Sequence, residues 1–352
     1  MIARLELNNF TVFDQLEIDF SKKINVIIGE NGTGKTHLLK AAYAVSLAGH
    51  LFKLNPEADR DELKAFLTEK LVRLFMPLDD KLGKIVRTGT SKQTAELKAE
   101  FALDEQIQLS FSYNSQTVAI QNAHNYRNHN QEPIFITTKE VLSFMEGFNS
   151  LYERYKISFD QTYKDVCLSL DLPQLRERKV HPKAEEAMED IRKLCGGQFV
   201  FHGGGKVTFK SDKNVEYSAN AMAEGFRKLG MLSRLLEAGV IEPGISGSLF
   251  WDEPESNINP QMIRLLVKIL LDLSRNGQQI ILATHDYVLL KWLDLLSDEK
   301  EGDQVRFHSL YRDPKSSEIM IESCDQYYQI NQNSISDSFA ELYDADISRA
   351  LA

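Results

Sequence analysis

Apolar residues fall at every second position in Ile2-Ala3-Arg4-Leu5-Glu6-Leu7 and in Leu16-Glu17-Ile18-Asp19-Phe20, the period of a strand with one face buried. The next run, Ile24-Asn25-Val26-Ile27-Ile28, is apolar at nearly every position and predicts a central strand covered on both faces, ending at Gly29. A helix is expected from Lys35 to about Leu47. Another is expected over 59–76, where Leu63, Phe66, Leu67, Leu71, Leu74 and Phe75 follow helical steps. Alternation returns at 95–121, with Phe101, Leu109, Phe111 and Val118 as inward positions of antiparallel strands. An asparagine-rich loop follows at 122–131, then a strand at 134–137. His124 and His129 in that loop lack acidic or thiol companions, so a loop is the expectation there rather than a metal site.

The stretch 141–195 reads as helical. Pro182 suits a first helical turn and Gly196 a stop, with Ala184, Ala187, Met188, Ile191 and Leu194 on one side. Residues 196–217 read as a β-hairpin and 222–238 as a helix closed by Gly239. Strand 248–251, helix 260–274, strand 278–283 and helix 286–296 then alternate, which predicts a parallel sheet. Strands near 304–311 and 317–323 and a short helix complete the chain.

At 352 residues, with 43% apolar and 26% charged, the chain has the composition of a folded globular protein. No apolar run reaches the roughly 18–20 residues of a membrane span, and the first residues lack a signal-peptide pattern. A cytoplasmic location with no membrane partner is therefore expected. The net charge of −10 disfavours a purely electrostatic nucleic-acid binder, although a local basic groove can coexist with it. Cys167, Cys195 and Cys324 are widely spaced and odd in number, so free thiols are expected.

Gly29-Glu30-Asn31-Gly32-Thr33-Gly34-Lys35-Thr36 matches G-x-x-x-x-G-K-[ST] between a buried strand and a helix. Backbone N–H groups of Asn31, Gly32, Thr33 and Gly34 would cradle phosphate oxygens. Lys35 would reach the β- and γ-phosphates, and the Thr36 hydroxyl would ligate Mg²⁺. Hydrolysis needs a second acid near the metal and a group that orients water. Leu249-Phe250-Trp251-Asp252-Glu253 supplies a strand that ends in two carboxylates. Asp252 is the expected metal partner and Glu253 the general base or water-orienting group. His285 follows another apolar strand at the same sheet edge, within reach of the γ-phosphate or the attacking water.

Leu5-x-Leu7-Asn8-Asn9-Phe10, the loop 29–36, Asp252-Glu253-Pro254-Glu255 and Thr284-His285-Asp286, in that order, resemble the ATPase heads of the ABC superfamily. More narrowly they resemble its SMC, RecF and OLD-like branch, which includes DNA-repair and bacterial phage-defence ATPases. The resemblance implies an α/β P-loop NTPase fold with an ABC-type head: a mixed sheet flanked by helices, an antiparallel β subdomain and a helical insertion. Residues 1–140 would form an N-terminal lobe, 141–221 the insertion and hairpin, and 222–352 a C-terminal lobe. It further implies ATP and Mg²⁺ as cofactors and a homodimer that sandwiches two ATP molecules. Met222–Lys228 would be the signature segment, with Glu224 and Gly225 meeting nucleotide bound by the partner. Ala223 stands where the family has serine, and Arg227 or Lys228 would compensate by charge. Ser256-Asn257-Ile258-Asn259-Pro260 resembles the D-loop. A Q-loop glutamine is not evident, and Glu140 stands near its place.

Only about 80 residues separate Glu140 from the signature, without sustained heptads, so long coiled-coil arms are not expected. The 67 residues after His285 lack the acidic cluster of a TOPRIM nuclease. The leading expectation is an ATP-driven switch that gates a separate effector, a nuclease or toxin, in phage defence. A RecF-like clamp is the alternative. Lys22, Lys23, Lys206, Lys210 and Lys213 would be its basic residues, leaving DNA or RNA open as a ligand. A transporter nucleotide-binding subunit is disfavoured by the altered signature.

Overall fold

The computed structural model describes residues 1–55, 57–89, 93–126, 131–173 and 179–351. His129 lies outside them. The chain opens with strands β1 (Ile2–Phe10), β2 (Phe13–Asp19) and β3 (Ile24–Gly29), then helices α1 (Lys35–Leu54) and α2 (Arg60–Phe75). Strands β4 (Thr94–Phe101), β5 (Glu105–Ser112) and β6 (Ala119–Asn122) join β1 and β2 in an antiparallel sheet of order β2-β1-β4-β5-β6. The four inward positions expected at 95–121 are all buried.

A six-stranded sheet forms the centre. Its order is β14-β13-β3-β12-β11-β7, with β7 at Ile134–Ile136, β11 at Leu249–Asp252, β12 at Ile280–Ala283, β13 at Val305–Arg312 and β14 at Ile319–Cys324. All neighbours are parallel except the edge pair β13–β14. Alternation across the sheet explains why β3 reads as continuously apolar. Ile24, Val26 and Ile28 enter one core, while Ile27 enters the other with α1 and the antiparallel sheet. Strand β11 divides likewise, Leu249 and Trp251 on one side and Phe250 on the other. A buried glutamine stitches the two sheets together. Gln279 donates to Ile2 O and Ser21 O, each at 2.8 Å, and accepts from Ile2 N at 3.1 Å.

The first core is closed by α6 (Glu224–Glu237), α7 (Pro260–Arg275) and α8 (Tyr287–Leu296). Phe226, Leu229, Leu232 and Leu236 of α6 all pack in it, Phe226 only partly covered. The last helix, α9 (Ser334–Leu351), buries no residue; Phe339 stacks on Tyr287 with ring centroids 4.3 Å apart.

Three expectations are corrected. The stretch 141–195 is not one helical run but α3 (Phe148–Arg154), α4 (Gln161–Leu170) and α5 (Pro182–Cys195). Gly147 stands at φ 73 before α3, and Asp160 caps α4 by accepting from Thr162 N, so local capping chemistry cuts the run. Cys195, rather than Leu194, is buried on the inner face of α5. The hairpin at 196–217 is a three-stranded sheet: β8 (Gly197–Phe201), β9 (Val207–Ser211) and β10 (Glu216–Ser218). The three cysteines are free thiols. No described helix is long and apolar enough to cross a membrane.

Candidate functional site

The register of the parallel strands brings three chain segments to one edge. Ile27 pairs with Ala283 and Ala283 with Asp252, so the loop after β3, Thr284-His285 and Glu253 leave the sheet side by side. Glu253 N donates to Ala283 O at 2.9 Å and Thr284 N to Ile27 O at 3.0 Å, which fixes these exits. Ligands of open parallel sheets bind at this carboxyl edge.

The outer glycines of the loop 29–34 are demanded by packing as well as by any ligand. A Cβ on Gly29 would stand 2.3 Å from Leu310 O of the neighbouring β13. Gly34 sits at φ 93, and its Cβ would meet Val12 and Phe13, in the β1–β2 hairpin, at 2.6 Å. Thr33 Oγ1 closes the loop by donating to Glu30 O at 2.8 Å. Gly34 also occupies the cap position of α1 and offers no side chain to it, which leaves the first-turn N–H groups to an anion.

Lys35 is buried, and its ammonium donates to Gly29 O and Glu30 O at 2.7 and 3.0 Å. Burial pushes its pKa down, against the pull of Glu253, Asp252, Glu255 and Glu30. Thr36 Oγ1 donates to Asp252 Oδ2 at 2.9 Å, and Thr138 Oγ1 donates to the same oxygen at 3.0 Å. Burial pushes the Asp252 carboxyl up, while the two hydroxyl donors pull it back. A hydroxyl and a carboxylate in contact are hard oxygen donors that fit a small divalent cation which keeps water and phosphate as its other ligands. Among the described residues there is no cluster of three or more His, Cys, Asp or Glu side chains that could hold a metal by themselves.

Glu253 has a left-handed backbone, φ 48, and its Oε1 lies 3.2 Å from His285 Nδ1. The flanks of His285 are fixed. Thr284 Oγ1 donates to the buried Glu255 at 2.6 Å and accepts from Asp286 N at 3.0 Å. Asp286 in turn caps α8 by accepting from Leu289 N at 2.6 Å. At the start of α6, Glu224 Oε1 accepts from Asn257 Nδ2 at 2.8 Å, and Gly225 packs against Asn257 O. The signature-like and D-loop-like segments of one chain are thus in contact.

Glu140, near the place of a Q-loop glutamine, is buried in an ion pair with Arg227, Nε to Oε1 at 2.8 Å, and accepts from Ser143 N at 3.1 Å. Thr138, two residues earlier, makes the contact to Asp252. Arg227 and Lys228 are not free to act across a dimer. Arg227 also donates to Met222 O, and Lys228 Nζ donates to the carbonyls of Thr138, Glu253 and Ser256. Thr138, Lys228 and the Thr284–Glu255 pair were the site contacts missed in the sequence. The only signal for Thr138 was its place just after an apolar strand.

Residues 85–291, more than half the chain, match the family described as "AAA domain, putative AbiEii toxin, Type IV TA system". The matched span contains Asp252, Glu253 and His285 and begins after the loop 29–36. A Helicobacter pylori protein named ATP/GTP phosphatase is 23% identical over 374 residues, covering 95% of this chain and 99% of that protein. The DNA replication and repair protein RecF of Clostridium acetobutylicum is 38% identical over 92 residues, 25% of this chain and 24% of that one. The SMC head domain from Thermotoga maritima superposes with a TM-score of 0.51 at 12% identity, covering 92% of this chain and 98% of that chain. An SMC head bound to the C-terminal winged-helix domain of ScpA gives 0.55 at 13% identity, covering 93% and 98%. From the matched span the chain belongs to this AAA-domain ATPase family, and its fold is that of the SMC head domains.

Proposed function

We propose that the protein couples Mg²⁺-dependent ATP hydrolysis to closure and opening of a homodimer, and that this cycle gates a partner effector in antiphage defence. The observation that carries the reading is the meeting of Lys35, Thr36, Asp252, Glu253 and His285 at one sheet edge. In this reading the N–H groups of the loop hold the phosphates, and Lys35 swings from its two carbonyl partners onto the β- and γ-phosphates. Thr36 and Asp252 would hold Mg²⁺, which supplies charge neutralisation on the phosphate oxygens. Glu253 orients the attacking water and accepts its proton, and His285, paired to it, steadies the carboxylate and faces the γ-phosphate. Glu224 and Gly225 open α6, whose first-turn N–H groups suit the γ-phosphate bound by the partner subunit.

The ScpA-bound SMC head supports a partner protein for a head of this fold. The toxin–antitoxin description of the family supports a defence role. A RecF-like clamp is the second reading, favoured by the stretch 38% identical to RecF. It has less to work with on the basic side, since Lys23 Nζ already donates to Ser274 O at the end of α7.

Glu253→Gln provides the test. Wild type should release phosphate from ATP. The variant should bind ATP, lose at least about 100-fold in turnover and double its mass with ATP and Mg²⁺ by light scattering. Turnover like wild type would remove Glu253 from its role, and a monomeric ATP-bound variant would remove the dimer cycle. DNA stimulation with steep salt dependence would favour the clamp.

A further inference from the structure

A lysine ammonium is rarely buried without partners, and Lys228 is 1% exposed. Its Nζ donates to Thr138 O at 2.8 Å, Glu253 O at 2.6 Å and Ser256 O at 3.3 Å. Those acceptors belong to three separate segments: the loop after β7, the end of β11, and the D-loop-like turn. An ammonium has three hydrogens, and three carbonyls take them. Burial lowers this lysine to about 8, although Glu255, Glu253, Asp252 and Glu224 all pull it up. The group is therefore held in place by fixed dipoles.

Two further observations give the contact a direction. Glu253 has the left-handed backbone of φ 48, which a residue with a side chain keeps only when its surroundings impose it. Lys228 bonds to the carbonyl of that same residue. It also lies one helical turn beyond Glu224, on the helix whose first residues, under the proposed function, meet the nucleotide bound by the partner subunit. A shift of α6 therefore moves the donor that fixes the Glu253 backbone.

We infer that Lys228 is a positioning residue that links the signature helix to the hydrolytic carboxylate of the same protomer. Glu253 is aimed for hydrolysis only while α6 is seated against the D-loop-like turn. Nucleotide engaged by α6 on the partner subunit thereby sets the competence of this subunit's own site. The inference rests on the ATPase reading and on the in-trans placement of Glu224 and Gly225.

K228M keeps length and apolar bulk and removes every donor. Its kcat should fall by about 100-fold, while ATP affinity stays within about twofold, because Lys35 and Thr36 are untouched. In single-turnover measurements, K228M placed in an E253Q background should add nothing to the loss from E253Q alone. K228Q, which retains an amide donor, should recover part of kcat. A merely structural lysine would instead give losses that multiply with E253Q and a matching loss of ATP affinity. Either that pattern or a K228M with wild-type kcat overturns the inference. Thermal melts establish folding; if K228M does not fold, K228Q alone and with E253Q carries the same comparison. Failure of the parent reading looks different, since wild type itself would release no phosphate.

Discussion

Gly225→Ala measures how tightly the signature-like helix is seated on the D-loop-like turn. A Cβ there would lie 2.9 Å from Asn257 O and 3.3 Å from Ile258 Cα. Both neighbours are backbone, so relief requires the turn or the helix to move. Over-packing of this kind costs about 1–3 kcal/mol. Alanine returns at most about 0.5–1 kcal/mol of helix propensity, and less in a first turn. The steric contribution wins, by about 0–2.5 kcal/mol. With about 2–4 °C of Tm per kcal/mol in mid-sized proteins, and less in longer ones, the melt should drop by only a few degrees. Turnover should suffer more, because the displaced turn carries Ser256 O and adjoins Glu253, and a shift approaching 1 Å can remove about 100-fold in rate. Differential scanning calorimetry and steady-state ATPase rates check both numbers. Gly230→Ala is the control on the same helix. Its Cβ would meet the Phe199 side chain at 2.3 Å rather than the D-loop-like turn. If Gly225→Ala gains stability and keeps full turnover, the contact is slack and the seating argument is wrong.

Further outcomes follow from the same geometry. Lys35→Ala should abolish measurable ATP binding by calorimetric titration while the fold survives. Asp252→Asn should abolish turnover yet raise the melting temperature of the nucleotide-free protein at neutral pH. Burial holds the Asp252 carboxyl above its unfolded value of about 3.9, so ionising it destabilises the folded state as pH rises through the folded pKa. The gain should vanish in melts at about pH 3, below both the folded and the unfolded pKa, where the carboxyl is largely protonated in both states. Glu253 adds repulsion to the burial penalty while Lys35 and Lys40 attract this carboxyl, so a variant that is less stable at both pH values would mean that the lysines' attraction outweighs both. Thr138→Val removes one hydroxyl that pulls Asp252 down, so the acid limb of kcat/KM should move to higher pH. An unmoved limb would mean that the hydroxyl is idle.

Much of this architecture was legible because strand and helix periods are local. The continuous apolar character of β3 and the alternation in β1, β4 and β5 state which faces are covered, and the covered faces match. The loop 29–36 and the pair Asp252-Glu253 were legible because their chemistry needs particular residues at fixed spacing. What escaped depends on pairings between distant segments. Nothing near Lys228 in the chain says that it points inward to three carbonyls, and basic residues after Gly225 read more naturally as outward charges. Glu140 stands near the Q-loop place, but Arg227, 87 positions later, pairs with it. The breaks inside 141–195 were hidden for another reason: Asp160 and Gly147 act through single caps that an apolar count does not weigh.

The position of β3 in the central sheet has a consequence for biosynthesis. Its hydrogen-bonding neighbours are β12 and β13, which end at residues 283 and 312. A ribosome that has delivered the first 140 residues has therefore made the nucleotide-gripping segment without the backbone partners that flank it. Vectorial synthesis usually lets early segments fold as they emerge. Here the most apolar early strand must wait unpaired until the last fifth of the polypeptide arrives, a long-range closure of the kind that slows folding and exposes a chain to aggregation. Nascent chains halted before that point should lean on holdase chaperones and should not capture nucleotide.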